Sequence, residues 1–335
     1  MSELQVFMLL GVAVAVYALS AGADFGGGVW DLLASGPRRE RQRELIAEAI
    51  APIWEVNHIW MIFVVVLLFT VFPIAFAIVT TALHIPMLLA LVGIVLRGSA
   101  FVFRAYGMQP TETRARWGRV FAITSALTPI FLGMILAALS SGEIRVDMQT
   151  ETLSSGFFAG WLSPFALATG VFALVLFALL AAVYLAREAE LRGELELRDD
   201  FRLRALVCEA VAFVLAIAVL ALAHGQSQQL FAGLLGAPWS IPIQVLTFIA
   251  ASGAIVCLWK QRMAMARTFV MFQVGLVVLG WGAAMDRHLV LPDVHVTAAG
   301  AVEPVLAFLP WVLLGDSVLL VPALWWLFRV FRKLE

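Results

Sequence analysis

The sequence predicts an all-α polytopic membrane protein of about nine transmembrane helices, arranged as two four-helix bundles plus one peripheral helix, with a periplasmic N-terminus. Three observations predict it. Of 335 residues, 62% are hydrophobic and only 13% charged, far from the near-even apolar share and quarter charged share of soluble domains. Nine segments are long and apolar enough to cross a bilayer. Lys and Arg between them are concentrated in alternate loops, as the positive-inside rule requires.

The nine segments are 5–34, 50–80, 84–104, 117–140, 161–186, 203–224, 240–259, 267–285 and 304–328. The first opens on "MSELQVFMLLGVAVAVYALSAGA", which imitates a signal peptide but carries Glu3 where a positive charge belongs. It reads as a retained first span. With the N-terminus outside, the inner loops "GPRRERQRE", "FRAYGMQPTETRARWGR", "REAELRGELELRDDFRLR" and "KQRMAMAR" and the tail "RVFRKLE" hold 19 of the 22 Lys and Arg residues. The outer loops hold Arg145 and Arg287, and Arg97 lies inside the third span. Within the first inner loop, "RRERQRELIAEAI" can form an amphipathic turn or two on the cytoplasmic face. The rest reads as one membrane domain, 1–335, with helices 1–4 over 1–140, helices 5–8 over 161–285 and helix 9 over 304–328. "IVLRGSAFVFR" and "IVCLWKQRMAMAR", at the ends of the third and seventh spans, form a faint internal echo of two halves.

Charged groups at membrane depth are costly and face protein or water. Asp24, Glu55, His58 and Arg97 are four of them. At 1.5 Å per residue, Asp24 lies about 15 Å from the inner end of its helix, Glu55 and His58 about 7–12 Å, and Arg97 about 10 Å. All four fall in the cytoplasmic half, and Glu55 and His58, three residues apart, share a helix face. Arg97 can neutralise one carboxylate and leave the other free to titrate. Two readings stand: a hydrated proton path opening to the cytoplasm, or an ion-pair cluster that only fixes helix packing. Trp54, Asn57 and Trp60 flank the cluster in support.

Other polar residues read more plainly. His84, His224, His288 and His295 lie at span ends or in outer loops and read as solvated. Asp286, Arg287 and Asp293 read as helix caps or partner contacts. Asp316, between Gly315 and Ser317, reads as a second buried acid with a local hydrogen-bonded site. Cys208 and Cys257 read as small packing residues. Trp30, Trp54, Trp60, Trp281, Trp311, Trp325 and Trp326 fall near span ends, as interfacial belts do. No nucleotide-binding, CxxCH or metal-cluster motif is legible, so this chain is expected to ligate no cofactor and no metal, and it has no catalytic residue of its own.

"GADFGGG" (22–28), "IAPIWEVNHIW" (50–60) and "LRGSAFVFR" (96–104) resemble, in order and spacing, the signature segments of subunit II of cytochrome bd-type quinol oxidases. "GWGAAMDRHLVLPDVHV" is similar to the family's ending of the eighth helix. The resemblance implies a bacterial inner-membrane subunit of an electrogenic quinol:oxygen oxidoreductase that reduces dioxygen to water. It implies hemes b and d and the quinol site in a partner subunit I, a pseudo-symmetric subunit II that ligates no heme, and further contacts with small single-helix subunits, lipid and quinone, but none with nucleic acid. By motif position, Asp24 and the acid at 55 would belong to a cytoplasmic proton-uptake path, with Arg97 beside them. Two departures mark a divergent branch: Glu55 stands where the family usually has aspartate, and His58 where an acid is usual. A proton-coupled secondary transporter and a purely structural or assembly subunit are the alternatives from composition alone.

Overall fold

A computed structural model gives the structure of the chain, describing residues 1–335 apart from 51–53, 107–110, 151, 300–302 and 333–335. The side chains of residues 50, 54–56, 105–106, 111, 114, 321, 324 and 327–332 also lie outside the described set. Helix α1 (Glu3–Leu32) opens on a reciprocal cap between Ser2 and Gln5. Helix α2 (Arg39–Ile50) is longer than the expected turn or two. It buries Leu45 and Ile46 while its arginines face outward, which suits an amphipathic helix under the bundle.

The predicted second span is not one helix. It is α3 (Trp54–Val71) followed by α4 (Pro73–Ala82), bent by 119° at Phe72. Pro73 has no N–H and clashes with the preceding turn, so Phe72 leaves the helical region (φ −123, ψ 61) and Pro73 starts a new helix at its first position. Then come α5 (His84–Tyr106) and α6 (Thr111–Ser141). The strands β1 (Val146–Asp147) and β2 (Thr152–Leu153) form an antiparallel pair in the outer loop.

The second half runs α7 (Pro164–Leu191), α8 (Leu195–Gln226), α9 (Gln228–Gly236), α10 (Ser240–Trp259) and α11 (Met263–Ala284). Helix α8 starts eight residues before the predicted span, so the acidic-basic run "LELRDDFR" is helical rather than loop, and the short α9 was not expected. A second outer strand pair, β3 (His288–Val290) and β4 (Val294–His295), leads to α12 (Glu303–Arg332). Among the described residues eight helices qualify singly as spans, and the bent α3–α4 pair makes a ninth.

The first four spans (α1, α3, α5, α6) and the second four (α7, α8, α10, α11) meet along α1 and α7, and α12 stays at the periphery. Gly22 and Gly26 make the α1–α7 contact possible. A Cβ on Gly26 would lie 2.0 Å from the carbonyl oxygen of Phe177, so only hydrogen fits. Gly133 of α6 and Gly170 of α7 meet in the same way, a Cβ on Gly133 coming 2.7 Å from the Cα of Gly170. Cys208 and Cys257 are free and buried in this packing. Trp30 is no belt residue: it is buried, and its indole Nε1 donates to the Ala178 carbonyl at 2.8 Å, tying α1 to α7.

Candidate functional site

Parallel helices α1 and α5 both run from the outer face to the inner one, and each repeats its charge after seven residues. Asp24 and Asp31 lie on α1, Arg97 and Arg104 on α5. Two turns separate the members of each pair by about 10.5 Å along the axis, so the charges meet as two stacked rungs. In the upper rung, Arg97 Nη2 pairs with Asp24 Oδ1, and both residues are only 1% exposed. Arg97 Nε also donates to Ser125 Oγ of α6 at 3.0 Å, and its guanidinium lies between the rings of Phe25 (4.9 Å) and Phe121 (5.1 Å). Such a site holds an arginine charged while excluding bulk water. In the lower rung, Arg104 contacts both Asp31 oxygens at 3.0 and 3.1 Å, and Arg43 of α2 approaches Asp31 at 3.8 Å. Asp31 is buried, whereas Arg43 and Arg104 reach the cytoplasmic rim.

Helix α3 brings His58 against this ladder. Its ring lies 6.2 Å from that of Tyr17 and 6.1 Å from that of Phe25, within electrostatic reach of Asp24 and Arg97. Three buried polar atoms here have no protein partner, Asp24 Oδ2, Tyr17 Oη and His58 Nδ1, and neither has Asn57 Nδ2, beside His58 in the sequence. Buried polar groups are ordinarily hydrogen-bonded, to protein or to ordered water. On its other side His58 lines a cavity of about 470 Å³ between α3 and α5, walled by Ile94, Val95, Gly98, Ser99, Val102 and Phe103. Trp60 packs edge-on against Phe63 at 6.4 Å. The side chains of Trp54 and Glu55 lie outside the described residues.

Of the residues singled out from sequence, Asp24, Arg97 and His58 therefore converge, and Asn57 is buried next to His58 in the chain. Tyr17, Asp31, Arg104 and Ser125 join them without having been foreseen. The signal for three of these was present, because Tyr17, Asp24 and Asp31 are spaced by seven along α1, as Arg97 and Arg104 are along α5. A second unforeseen buried pair joins α8 to α11, where Gln273 Nε2 donates to Glu209 Oε2 at 3.0 Å.

Two expectations need correction. Asp316 is exposed on α12, so it is not buried in this chain and has no local site within it. Asp293 neither caps a helix nor is left for a partner: it accepts from Arg145 Nε and from the Val146 N–H, both at 2.9 Å, and so clasps the two outer loops together. Asp286 and Arg287 carry the left-handed turn after α11 (φ 45 and 62). The remaining histidines are engaged locally. His84 meets Phe157 (4.9 Å), His224 meets Phe231 (4.8 Å), and His288 and His295 face each other at 5.0 Å. Among the described residues no group of three or more His, Cys, Asp or Glu is placed to hold a metal ion.

The family model for cytochrome bd terminal oxidase subunit II matches residues 2–331. The chain belongs to that family. It is 24% identical over 300 residues to a putative cytochrome bd menaquinol oxidase subunit II of Bacillus subtilis, covering 87% of this chain and 84% of that one. It is 28% identical over 214 residues to the cytochrome bd-I ubiquinol oxidase subunit 2 of Escherichia coli, covering 62% of this chain and 55% of the relative. In fold it is similar to a chain of the bd oxidase of Geobacillus thermodenitrificans, with a TM-score of 0.76, 20% identity and 98% of both chains covered. A cytochrome bd subunit II is a multi-pass membrane protein and a component of an oxidoreductase complex, a quinol oxidase, together with subunit I. Membership in this family sets aside the transporter reading. Such a complex carries heme. Among the described residues lining the cavity of about 470 Å³, His58 is the one that could ligate a metal.

Proposed function

We propose that this cytochrome bd subunit II is the non-heme-ligating partner of a heme-bearing subunit I in a bacterial inner-membrane complex that oxidises quinol and reduces dioxygen to water, and that its cytoplasmic half supplies a proton-uptake path. The hemes b and d of subunit I would supply the electron-transfer and oxygen chemistry. What this chain adds is a buried polar route. Asp31 lies near the cytoplasmic rim, two turns below Asp24. Asp24 keeps one oxygen without a partner and lies within electrostatic reach of the Tyr17 phenol and the His58 imidazole. The single observation that carries the reading is this run of unpaired buried polar atoms beside a neutralised Asp24–Arg97 pair. A cluster built only for packing would leave none of them unpaired. Arg97 keeps Asp24 compensated at rest, and His58 passes a proton toward the α3–α5 cavity, where subunit I would receive it. Glu55, three residues before His58 on the same helix, is the second acid of the path.

The test is turnover of the assembled complex. Glu55→Gln and His58→Ala should leave the heme absorption spectrum unchanged and slow quinol-dependent oxygen consumption roughly 10-fold or more, the size typical of losing a proton-transfer group. Fully assembled variants that consume oxygen at the wild-type rate would assign the cluster to packing instead.

A further inference from the structure

On the cytoplasmic side, away from the acid–arginine ladder, the α1–α2 loop and the first turns of α8 enclose a cavity of about 270 Å³ lined by Ser35, Gly36, Pro37, Arg38, Gln42, Asp200, Leu203 and Arg204. Its charges are unevenly matched. Arg38 grips Asp200 at 2.9 and 2.6 Å and shares itself with the exposed Glu196 at 3.0 Å, while Gln42 Nε2 donates to Asp200 at 3.0 Å. Asp200 is thereby compensated.

Arg204 is matched only at a distance. Among the described residues no carboxylate oxygen lies within 4.0 Å of it, and Asp200, one turn earlier on α8, reaches it through the electrostatic field alone. Its Nη2 donates to Gln42 Oε1 at 2.8 Å, its Nη1 has no acceptor, and the guanidinium is fixed against the rings of Trp30 (5.2 Å) and Phe201 (5.0 Å). An oriented guanidinium with no carboxylate in direct contact suits a phosphate oxygen. The cavity also sits at the top of an apolar stripe. Leu203, Val207, Val211 and Val214 are 41–64% exposed at helical spacing on α8, which runs from the cavity into the membrane.

We propose that this cavity binds the phosphate of an anionic phospholipid of the cytoplasmic leaflet, with Arg204 as the charged contact and the acyl chains lying along the α8 stripe. Phosphate is the shared chemistry, and the stripe selects a lipid over the free ion. The site is independent of the proton path.

The test uses the complete oxidase complex in detergent. Mass spectrometry of co-purified lipid, with phosphatidylglycerol as the probe, should show retention by the wild type that is weaker by about tenfold or more in Arg204→Gln, the loss expected for one charge-assisted contact. Ser35→Asp places a negative charge at the exposed mouth without touching the core, so it remains informative if Arg204→Gln fails to assemble, and it should lose the lipid too. Added phosphatidylglycerol should raise the thermal midpoint of the wild-type complex and leave that of Ser35→Asp unmoved. Equal retention by the wild type and the variants would overturn the site. A midpoint raised as much by inorganic phosphate, or by phosphatidylcholine, at equal concentration would overturn the anionic-lipid assignment.

Discussion

Asp24 and Arg97 show how little freedom a buried charge has. Both are shut off from solvent, so removing one partner leaves the other uncompensated at membrane depth. Breaking such a pair typically costs about 3–5 kcal/mol. Asp24→Asn is therefore expected to lower the yield and thermal midpoint of the assembled complex as well as its turnover, and the double variant Asp24→Asn with Arg97→Gln should recover most of the yield. Size-exclusion profiles of the membrane extracts check this, and an Asp24→Asn complex as stable as the wild type would mean that the pair is not the closed contact described. Asp31 differs because its partners are partly hydrated. Asp31→Asn should therefore cost less in assembly than Asp24→Asn, while still slowing oxygen consumption if protons enter there.

At the scale of elements, two contacts invite measurement. The first is the α1–α7 seam, where Gly22 and Gly26 stand four residues apart. Gly26→Ala would drive a methyl group into the backbone of Phe177, and overpacking of this kind costs about 1–3 kcal/mol. The expected readout is a lower thermal midpoint with unchanged heme content in whatever complex still forms. Gly11, with open space around its Cβ position, is the control.

The second contact is α2, held under the bundle by Arg41–Glu194, Arg38–Asp200 and Arg192–Glu48. Arg41 donates to Glu194 at 2.8 and 2.6 Å and holds that carboxyl below its ordinary value of 4.5. A depressed folded-state value means the contribution is complete above the ordinary range and is lost as pH falls through and below it. Protection of the α2 amides against exchange, measured relative to their intrinsic rates, should therefore fall as pH drops below the ordinary carboxylate range, about 4.5 for this Glu. High salt should lower it too, since these pairs are partly exposed and each contributes less than about 1 kcal/mol.

For the molecule as a whole, charge placement decides orientation. In a Cys208→Ala, Cys257→Ala background, a cysteine at Ser35 should react with a membrane-impermeant thiol reagent only from the cytoplasmic side. One at Thr150, in the outer loop, should react only from the opposite side. The reverse pattern would invert the topology. Helix α12 packs little against the rest of this chain and leaves Trp311, Leu319 and Asp316 exposed.

The sequence alone determined class, approximate span count and the intramembrane charges, because bilayer thickness and the cost of burying charge act on every residue regardless of its neighbours. It also carried the family motifs, and the heptad offsets of Tyr17, Asp24 and Asp31 were legible though unread. Tertiary structure decided the rest. The pairing of Arg97 with Asp24, the lower rung through Arg104 and the cradle of Phe25, Phe121 and Ser125 depend on how α1, α5 and α6 rotate against one another, which periodicity does not fix. The 119° break at Pro73 turned one apolar run into two helices, because hydropathy records composition and not direction. The fate of Asp316 was decided the same way: an acid in an apolar helix is buried or exposed according to which neighbours the helix finds, and α12 finds few within this chain.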